Sequence, residues 1–256
     1  MKGLIRLLIR KLPRPVLIRF SYLFSWIFRI WYRGNNVECP VCENTFRSFL
    51  PYGVKVRQNA LCPACLSLER HRLLWLYLKN ETGFFTDNIK VLHVAPEQSF
   101  LKRFRSLQNL DYTSADLESP LADMHFDLHD IPLPDNTYDF LICNHVLEHV
   151  RDVKIVLKEI IRVIKPGGVA IMQVPVDYNR DETYEDPSIT DPGEREIHFG
   201  QKDHMRVFGR NYGDVLRDAG FIVKETPYAK TLGQEWLERY SLPVEEIIYL
   251  SSKPDN

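Results

Sequence analysis

From residue 90 onwards, short apolar runs alternate with amphipathic stretches, and this alternation constrains the chain more than any other feature. Residues 91–95 (VLHVA) read as a strand, 98–107 as a helix, 112–116 as a second strand and 126–128 as a brief extended segment. The run Tyr138–Cys143 (YDFLIC) is apolar without interruption, as strands covered on both faces of a parallel sheet are. Next, Val153, Val156, Leu157, Ile160, Ile161 and Ile164 recur at helical spacing behind Asp152, a natural N-cap. The KPGG at 165–168 is expected to stop that helix, and a strand at 169–174 follows. A helix at 212–219, Gly220, a strand at 221–225 and a last strand at 245–251 complete the series. Strands and helices in this order predict an open α/β sheet that binds ligands at the carboxyl ends of its strands.

At 256 residues the chain has room for one sizeable core and a smaller attachment. The expected division is a basic arm at 1–36, a cysteine module at 37–66, a bridging helix within 67–89 and a catalytic domain at 90–256. The net charge of −1 hides an asymmetry. Lys2, Arg6, Arg10, Lys11, Arg14, Arg19, Arg29 and Arg33 fall in the arm, which holds no Asp or Glu. The remainder is therefore acidic, which disfavours a large nucleic-acid footprint and suits a small or membrane-borne substrate. Within the arm, Phe, Trp, Leu and Ile alternate with arginine over 16–32. Arg19 and Arg29 break any apolar span, and no small-residue cleavage site follows. Arginine among tryptophan and phenylalanine predicts a basic amphipathic helix in a membrane interface. Contact with a membrane surface through residues 1–33, from the cytoplasmic side, is the expectation.

Cys39 and Cys42 form one C-x-x-C pair and Cys62 and Cys65 another, with nineteen residues between them. Each such turn aims two thiolates at one point, and two turns complete the tetrahedron that zinc takes from sulfur. All four positions would be filled by protein, so the ion is structural and the module zinc-ribbon-like. Phe46, Phe49, Leu50 and Tyr52 offer it a minimal core. Paired thiols of this kind belong to a reducing compartment, here the cytoplasm. Ser67 reads as the N-cap of the bridging helix, whose Glu69, Arg70, His71 and Arg72 are expected on a solvated or domain-contacting face.

Two segments carry a family resemblance: YDFLICNHVLEH at 138–149 and LKEIIRVIKPGG at 157–168. Together they resemble the class I S-adenosylmethionine-dependent methyltransferases, in particular those with small-molecule acceptors. The resemblance covers about residues 90–251. It implies a Rossmann-like seven-stranded sheet ending in an antiparallel hairpin, with S-adenosylmethionine as cofactor. It also implies that Asp116, followed by Leu117, accepts both ribose hydroxyls, and that Asp127 and Leu128 lie beside the adenine. Asn144 and His145 would approach the methionine moiety. The first loop departs from the family's glycine-rich pattern with Ala95, Pro96 and Glu97. Ala95 is small enough to stand for a glycine, Pro96 removes an N–H, and Glu97 could accept from the cofactor's amino group.

The polar insertion at 183–209 is the expected home of the catalytic groups. His204 is assigned as general base with Asp203 as its orienting partner, and Asp186 or Glu185 as the alternative partner. Arg195 and Arg206 are read either as holders of an anionic substrate or as partners of the loop's own acids. The expected activity is methyl transfer to a small or lipid-linked acceptor, such as a cell-envelope or saccharide precursor. Two other readings stand beside it: an RNA methyltransferase that uses the zinc module as a clamp, and a non-catalytic binding protein retaining the fold.

Overall fold

The computed structural model describes residues 27–53 and 56–255. Most of the expected amphipathic arm, residues 1–26, lies outside them. The chain divides into two compact units. The first contains the described residues up to Thr82, together with 98–100 and 228–246; the second contains 83–97, 101–227 and 247 onwards. Residues 228–246, expected within a continuous catalytic domain, therefore cluster with the cysteine module instead.

In the first unit, β1 (Arg33–Cys39) pairs antiparallel with β2 (Asn44–Phe46), and β3 (Leu50–Tyr52) with β4 (Arg57–Leu61). Each cysteine pair occupies the turn after a strand. Glu43 N–H donates to Cys39 O and Leu66 N–H to Cys62 O, and both turns close on a left-handed residue, Glu43 at φ 57° and Leu66 at φ 62°. Helix α1 (Glu69–Glu81) starts one residue later than expected: Leu68 is the N-cap, and its N–H donates to His71 Nδ1. Of the face expected to be solvated or domain-contacting, His71 and Arg72 are not solvated: they are buried with Leu73, Leu74, Tyr77 and Leu78.

In the second unit a seven-stranded sheet has the order β12-β13-β9-β8-β5-β6-β7. These strands are β5 (Ile89–Val94), β6 (Leu110–Asp116), β7 (Met124–His125), β8 (Tyr138–Cys143), β9 (Ile164–Ile171), β12 (Ile222–Thr226) and β13 (Ile248–Ser252). All neighbours are parallel except β13, which runs antiparallel to β12 and β9. Val94 lies level with Ala115 on one side and Cys143 on the other, so the carboxyl ends of β5, β6 and β8 open at one height. Helix α2 (Gln98–Phe104) follows β5. Helix α3 (Val153–Val163) forms as expected: the Asp152 carboxylate accepts from Lys154 N and Ile155 N, and Val153, Val156, Leu157, Ile160 and Val163 are buried.

Several boundaries differ from expectation, among them the last strand, which begins at Ile248 rather than 245, and α2, which ends at Phe104 rather than 107. β9 begins at Ile164 and runs through the KPGG, because Ile164 pairs with Tyr138 before a bulge restores register at Phe140 and Val169. β7 comes before 126–128, at Met124–His125. The insertion after β9 is also folded: β10 (Tyr184–Glu185) pairs antiparallel with β11 (Arg206–Val207), and α4 (Pro192–Phe199) lies between them. Asp191 caps α4 by accepting from Gly193 N and Glu194 N, Pro192 opens it, and Gly200 at φ 86° closes it. Helix α5 (Tyr212–Asp218) leads to β12. No helix among the described residues is long and apolar enough to cross a membrane.

Candidate functional site

A cavity of about 410 Å³ opens at the carboxyl ends of β5 and β6, within the range of small-molecule sites. Ala95, Asp116, Leu117, Asp127 and Leu128 of the expected cofactor set line it, joined by His129, His149, Arg151 and Met205, which the sequence did not single out. Ala95 holds φ 47°, a left-handed conformation natural to glycine, at the point where β5 turns away from the cavity. Asp116 uses Oδ1 to accept from Glu118 N (2.9 Å) and Ser119 N (2.7 Å), leaving Oδ2 without a protein hydrogen bond. Leu117 beside it is 63% exposed, an uncovered apolar side chain at the cavity wall.

Asp127 accepts through Oδ1 from the His129 backbone N–H (2.9 Å) and from Nδ1 (2.6 Å), which holds its carboxyl below the usual carboxylate range. His129 Nε2 in turn accepts from Asp152 N at 3.1 Å. The ring is thereby fixed as the Nδ1–H tautomer, and the cavity wall is tied to the first turn of α3.

Pro96, Glu97, Asn144 and His145 do not line the cavity. Glu97 belongs to a polar network behind it: Oε2 lies 2.6 Å from His93 Nε2, and Oε1 accepts from Asn144 Nδ2 at 3.0 Å. The Tyr112 hydroxyl is 2.8 Å from His93 Nδ1, and burial pushes its pKa up, so Tyr112 donates to Nδ1 while Nε2–H donates to Glu97. Asn144 Oδ1 accepts from Gln173 N, and Gln173 Oε1 accepts from Tyr249 N. The Glu97 carboxylate is thus engaged by the protein itself and fastens the first loop to β8. His145, at φ 55°, donates its N–H to Gln173 O.

The expected catalytic pair does not meet. His204 is buried and its Nδ1 faces Phe199 O at 3.2 Å, while the Asp203 carboxylate lies 3.3 Å from His149 Nδ1. Asp203 lies in the turn at 201–203, and its carboxylate reaches the imidazole of His149 instead. Asp186 is exposed and accepts from the Ser188 N–H and hydroxyl, which lower its pKa. Burial and the nearby His149 push the His204 pKa down. Arg206 is buried, donating to the carbonyls of Leu147, Val150 and Arg151 and to Glu185, so it clamps the cavity-lining loop and is closed to a substrate. Arg195 donates to Ile189 O.

In the first unit, the expected metal ligands Cys39, Cys42, Cys62 and Cys65 gather in one cluster. Cys39 Sγ is 3.6 Å from Cys65 Sγ, and Cys42 Sγ is 3.6 Å from Cys62 Sγ. Zinc–sulfur bonds of about 2.3 Å in a tetrahedron set sulfurs about 3.8 Å apart, so the four thiols fit that ion. Ser67 Oγ touches both Cys39 Sγ and Cys65 Sγ at 3.2 Å. Arg72 is fully buried beside them, with Nη1 donating to Ala60 O and Ser67 O, Nε to Tyr240 O, Nη2 to Ser241 O, and its guanidinium 4.0 Å from the centre of the Phe49 ring. Among the described residues it makes no ion pair with a carboxylate, and burial pushes its pKa down against the opposing charges of Cys39, Cys62, Glu69 and Cys65.

A seven-stranded sheet, parallel except for one strand, has the Rossmann-like arrangement that the sequence resemblance implies. Residues 80–172 match the methyltransferase domain family. Two similar curated proteins are named demethylmenaquinone methyltransferase. One, from Geobacillus sp., is 44% identical over 48 residues, 19% of this chain and 20% of that protein. The other, from Lysinibacillus sphaericus, is 30% identical over 100 residues, 39% of this chain and 38% of that protein. The chain thus matches about two-fifths or less of the length of these relatives. Among solved structures, an S-adenosylmethionine-dependent methyltransferase from Mesorhizobium loti aligns at 14% identity and a TM-score of 0.45, covering 70% of this chain and 97% of the other. One from Thermotoga maritima aligns at 16% identity and a TM-score of 0.42, covering 64% and 82%.

Proposed function

We propose that this protein transfers a methyl group from S-adenosylmethionine to a small or lipid-linked acceptor. One observation carries the reading: Asp116 ends β6 at the cavity with one carboxylate oxygen committed to its own loop and the other free of protein partners. An ionised acid so fixed is suited to accept from ribose hydroxyls with a charge-assisted bond. Exposed Leu117 and neighbouring Leu128 supply apolar surface for a planar base, and Asp127, kept ionised by His129, supplies an acceptor near it. Ala95, left-handed and small, lets the backbone of the first loop approach the ligand. When bound, the cofactor supplies a methyl group already activated on a sulfonium. The protein's own task is then alignment of the acceptor and exclusion of water. Curated relatives named for demethylmenaquinone support an acceptor that is not a macromolecule.

The same proposal assigns a structural zinc ion to Cys39, Cys42, Cys62 and Cys65, supported by the sulfur spacing and by the buried Arg72 charge alongside. It also assigns a membrane-surface contact to the arm, supported by the helical turn at 27–31, where Ile30 and Trp31 are 60% and 69% exposed beside Arg29 and Arg33. Calorimetric titration with S-adenosylmethionine and its demethylated product tests the central claim. Micromolar binding, reduced at least about tenfold in Asp116→Ala, is expected. An Asp116→Ala protein that binds like the wild type would remove the ribose assignment.

A further inference from the structure

Electron pairs without partners converge beside the cavity. Glu148 and His204 are each more than nine-tenths buried, and Glu148 Oε2 and His204 Nε2 have no hydrogen-bond partner. His204 Nδ1 faces Phe199 O, and a carbonyl only accepts, so Nδ1 carries the proton and Nε2 presents a bare lone pair. A carboxylate oxygen and an unprotonated imidazole nitrogen are both acceptors, and neither satisfies the other. Burial without compensation is costly for each. His149 adds a third donor atom: one ring nitrogen of His149, one of His204 and one oxygen of Glu148 all lie within 4.8 Å of one another. The two rings meet edge to face with centroids 4.7 Å apart. His149 Nδ1 is held by Asp203, 3.2 Å from its backbone oxygen and 3.3 Å from its carboxylate. A carbonyl on one imidazole and a carboxylate on the other are the outer partners that orient metal-ligating histidines.

We propose that Glu148, His149 and His204 form a divalent-metal site, separate from the four cysteines, which takes a first-row cation such as manganese(II), iron(II) or zinc(II). Two imidazoles and one carboxylate are a donor set these ions share. Ligand bonds of about 2.0–2.2 Å place neighbouring donors about 3–3.5 Å apart, so side-chain movement of about 1 Å closes the site. Three protein ligands leave coordination positions open. His149 also lines the cavity, so those positions take an oxygen ligand, a hydroxyl or carboxylate, entering from the cavity. Only this last point, that the ligand belongs to a methyl acceptor, rests on the methyltransferase reading.

Full-length protein, with zinc kept at the cysteines, is titrated with manganese(II), and free ion is followed by its paramagnetic resonance. Manganese disfavours thiolate and accepts nitrogen and oxygen donors, so it reports this site alone. The wild type is expected to bind about one equivalent, and Glu148→Gln and His204→Asn to weaken binding at least about tenfold. Asp203→Asn, which alters only the outer hold on His149, is expected to weaken it less. Each variant is also titrated with the demethylated cofactor product, which reports folding and the cofactor pocket independently. Product binding retained while manganese binding is lost supports the site. Manganese binding without product binding also supports the site but overturns the cofactor reading. A wild type that takes up no manganese, or a folded Glu148→Gln that binds it unchanged, overturns the proposal.

Discussion

Replacing Arg206 with methionine removes the clamp on residues 147–151 while keeping most of the side-chain volume. In the native protein Nη1 donates to Leu147 O at 2.7 Å and Val150 O at 2.6 Å, and Nη2 to Arg151 O at 3.1 Å. The Leu147 contact is buried and the other two are partly buried. Stranding one buried carbonyl costs about 2 kcal/mol, and two that regain some water add about 0.5–1 kcal/mol each, giving about 3–4 kcal/mol. Glu185, whose side chain is 41% exposed, resolvates and adds little. For a unit of this size the loss corresponds to a fall in Tm of roughly 6–16 °C. Urea unfolding followed by circular dichroism measures it directly, and Arg206→Lys should recover part of the loss, since an ammonium reaches fewer of the carbonyls. His149, Val150 and Arg151 line the cavity, so cofactor affinity should fall alongside. A methionine variant within about 0.5 kcal/mol of wild type would show that the carbonyls find other donors, and the clamp reasoning would fail.

Burial opposes ionisation of Asp139, yet Lys165 Nζ at 2.7 Å and Lys90 N–H at 2.8 Å outweigh it and lower the pKa. The folded value lies below the unfolded value of about 3.9, so its contribution is present above that pH and is lost as pH falls through the folded value. Asp139→Asn should therefore be less stable than wild type at neutral pH and equal to it in strong acid; a constant difference would refute the linkage. Cys143 is fully buried, which pushes its thiol pKa up. A disulfide-exchange reagent should leave it unmodified in native protein, react with four thiols after chelation, and reach Cys143 only on unfolding; rapid native labelling of Cys143 would contradict this. Ala95→Gly should change stability by no more than about 0.5 kcal/mol, because relief of left-handed strain offsets the added chain entropy, whereas Ala95→Val should cost more than about 1 kcal/mol. Equal tolerance of the two substitutions in a thermal melt would mean that the first loop does not hold its φ.

What the sequence disclosed and what it hid follow from how local each signal is. Helix α3 was legible because its cap, Asp152, and its apolar face lie within a dozen residues of one another. The KPGG was not, because proline and glycine mark a bulged strand as readily as a helix end, and only pairing of Ile164 with Tyr138 decides between them. The cysteine cluster could be read from spacing, but the burial of Arg72 could not, since its acceptors include carbonyls at 240 and 241. Of the residues assigned to the cofactor, those at strand ends, Asp116 and Ala95, reach the cavity because topology puts them there. Glu97 was misleading because its partners, His93 and Asn144, stand on different strands. His204 was located in the right insertion, but its orientation depends on Phe199 O, and Asp203 is taken by His149. A further cue was available in the Glu148-His149 dipeptide, two adjacent ligand-type side chains in the loop after β8.

The stretch between β12 and β13 carries a consequence for biosynthesis. The cysteine module is encoded ahead of the seven-stranded sheet, yet its unit includes residues 228–246: Arg239 reaches Glu38 and Asn35, and Arg72 is capped by Tyr240 and Ser241. A ribosome releasing the chain from its N-terminus exposes the module long before those partners exist. The module therefore waits, its arginine short of two acceptors, until residues 240 and 241 have been synthesised, and its completion is a late event.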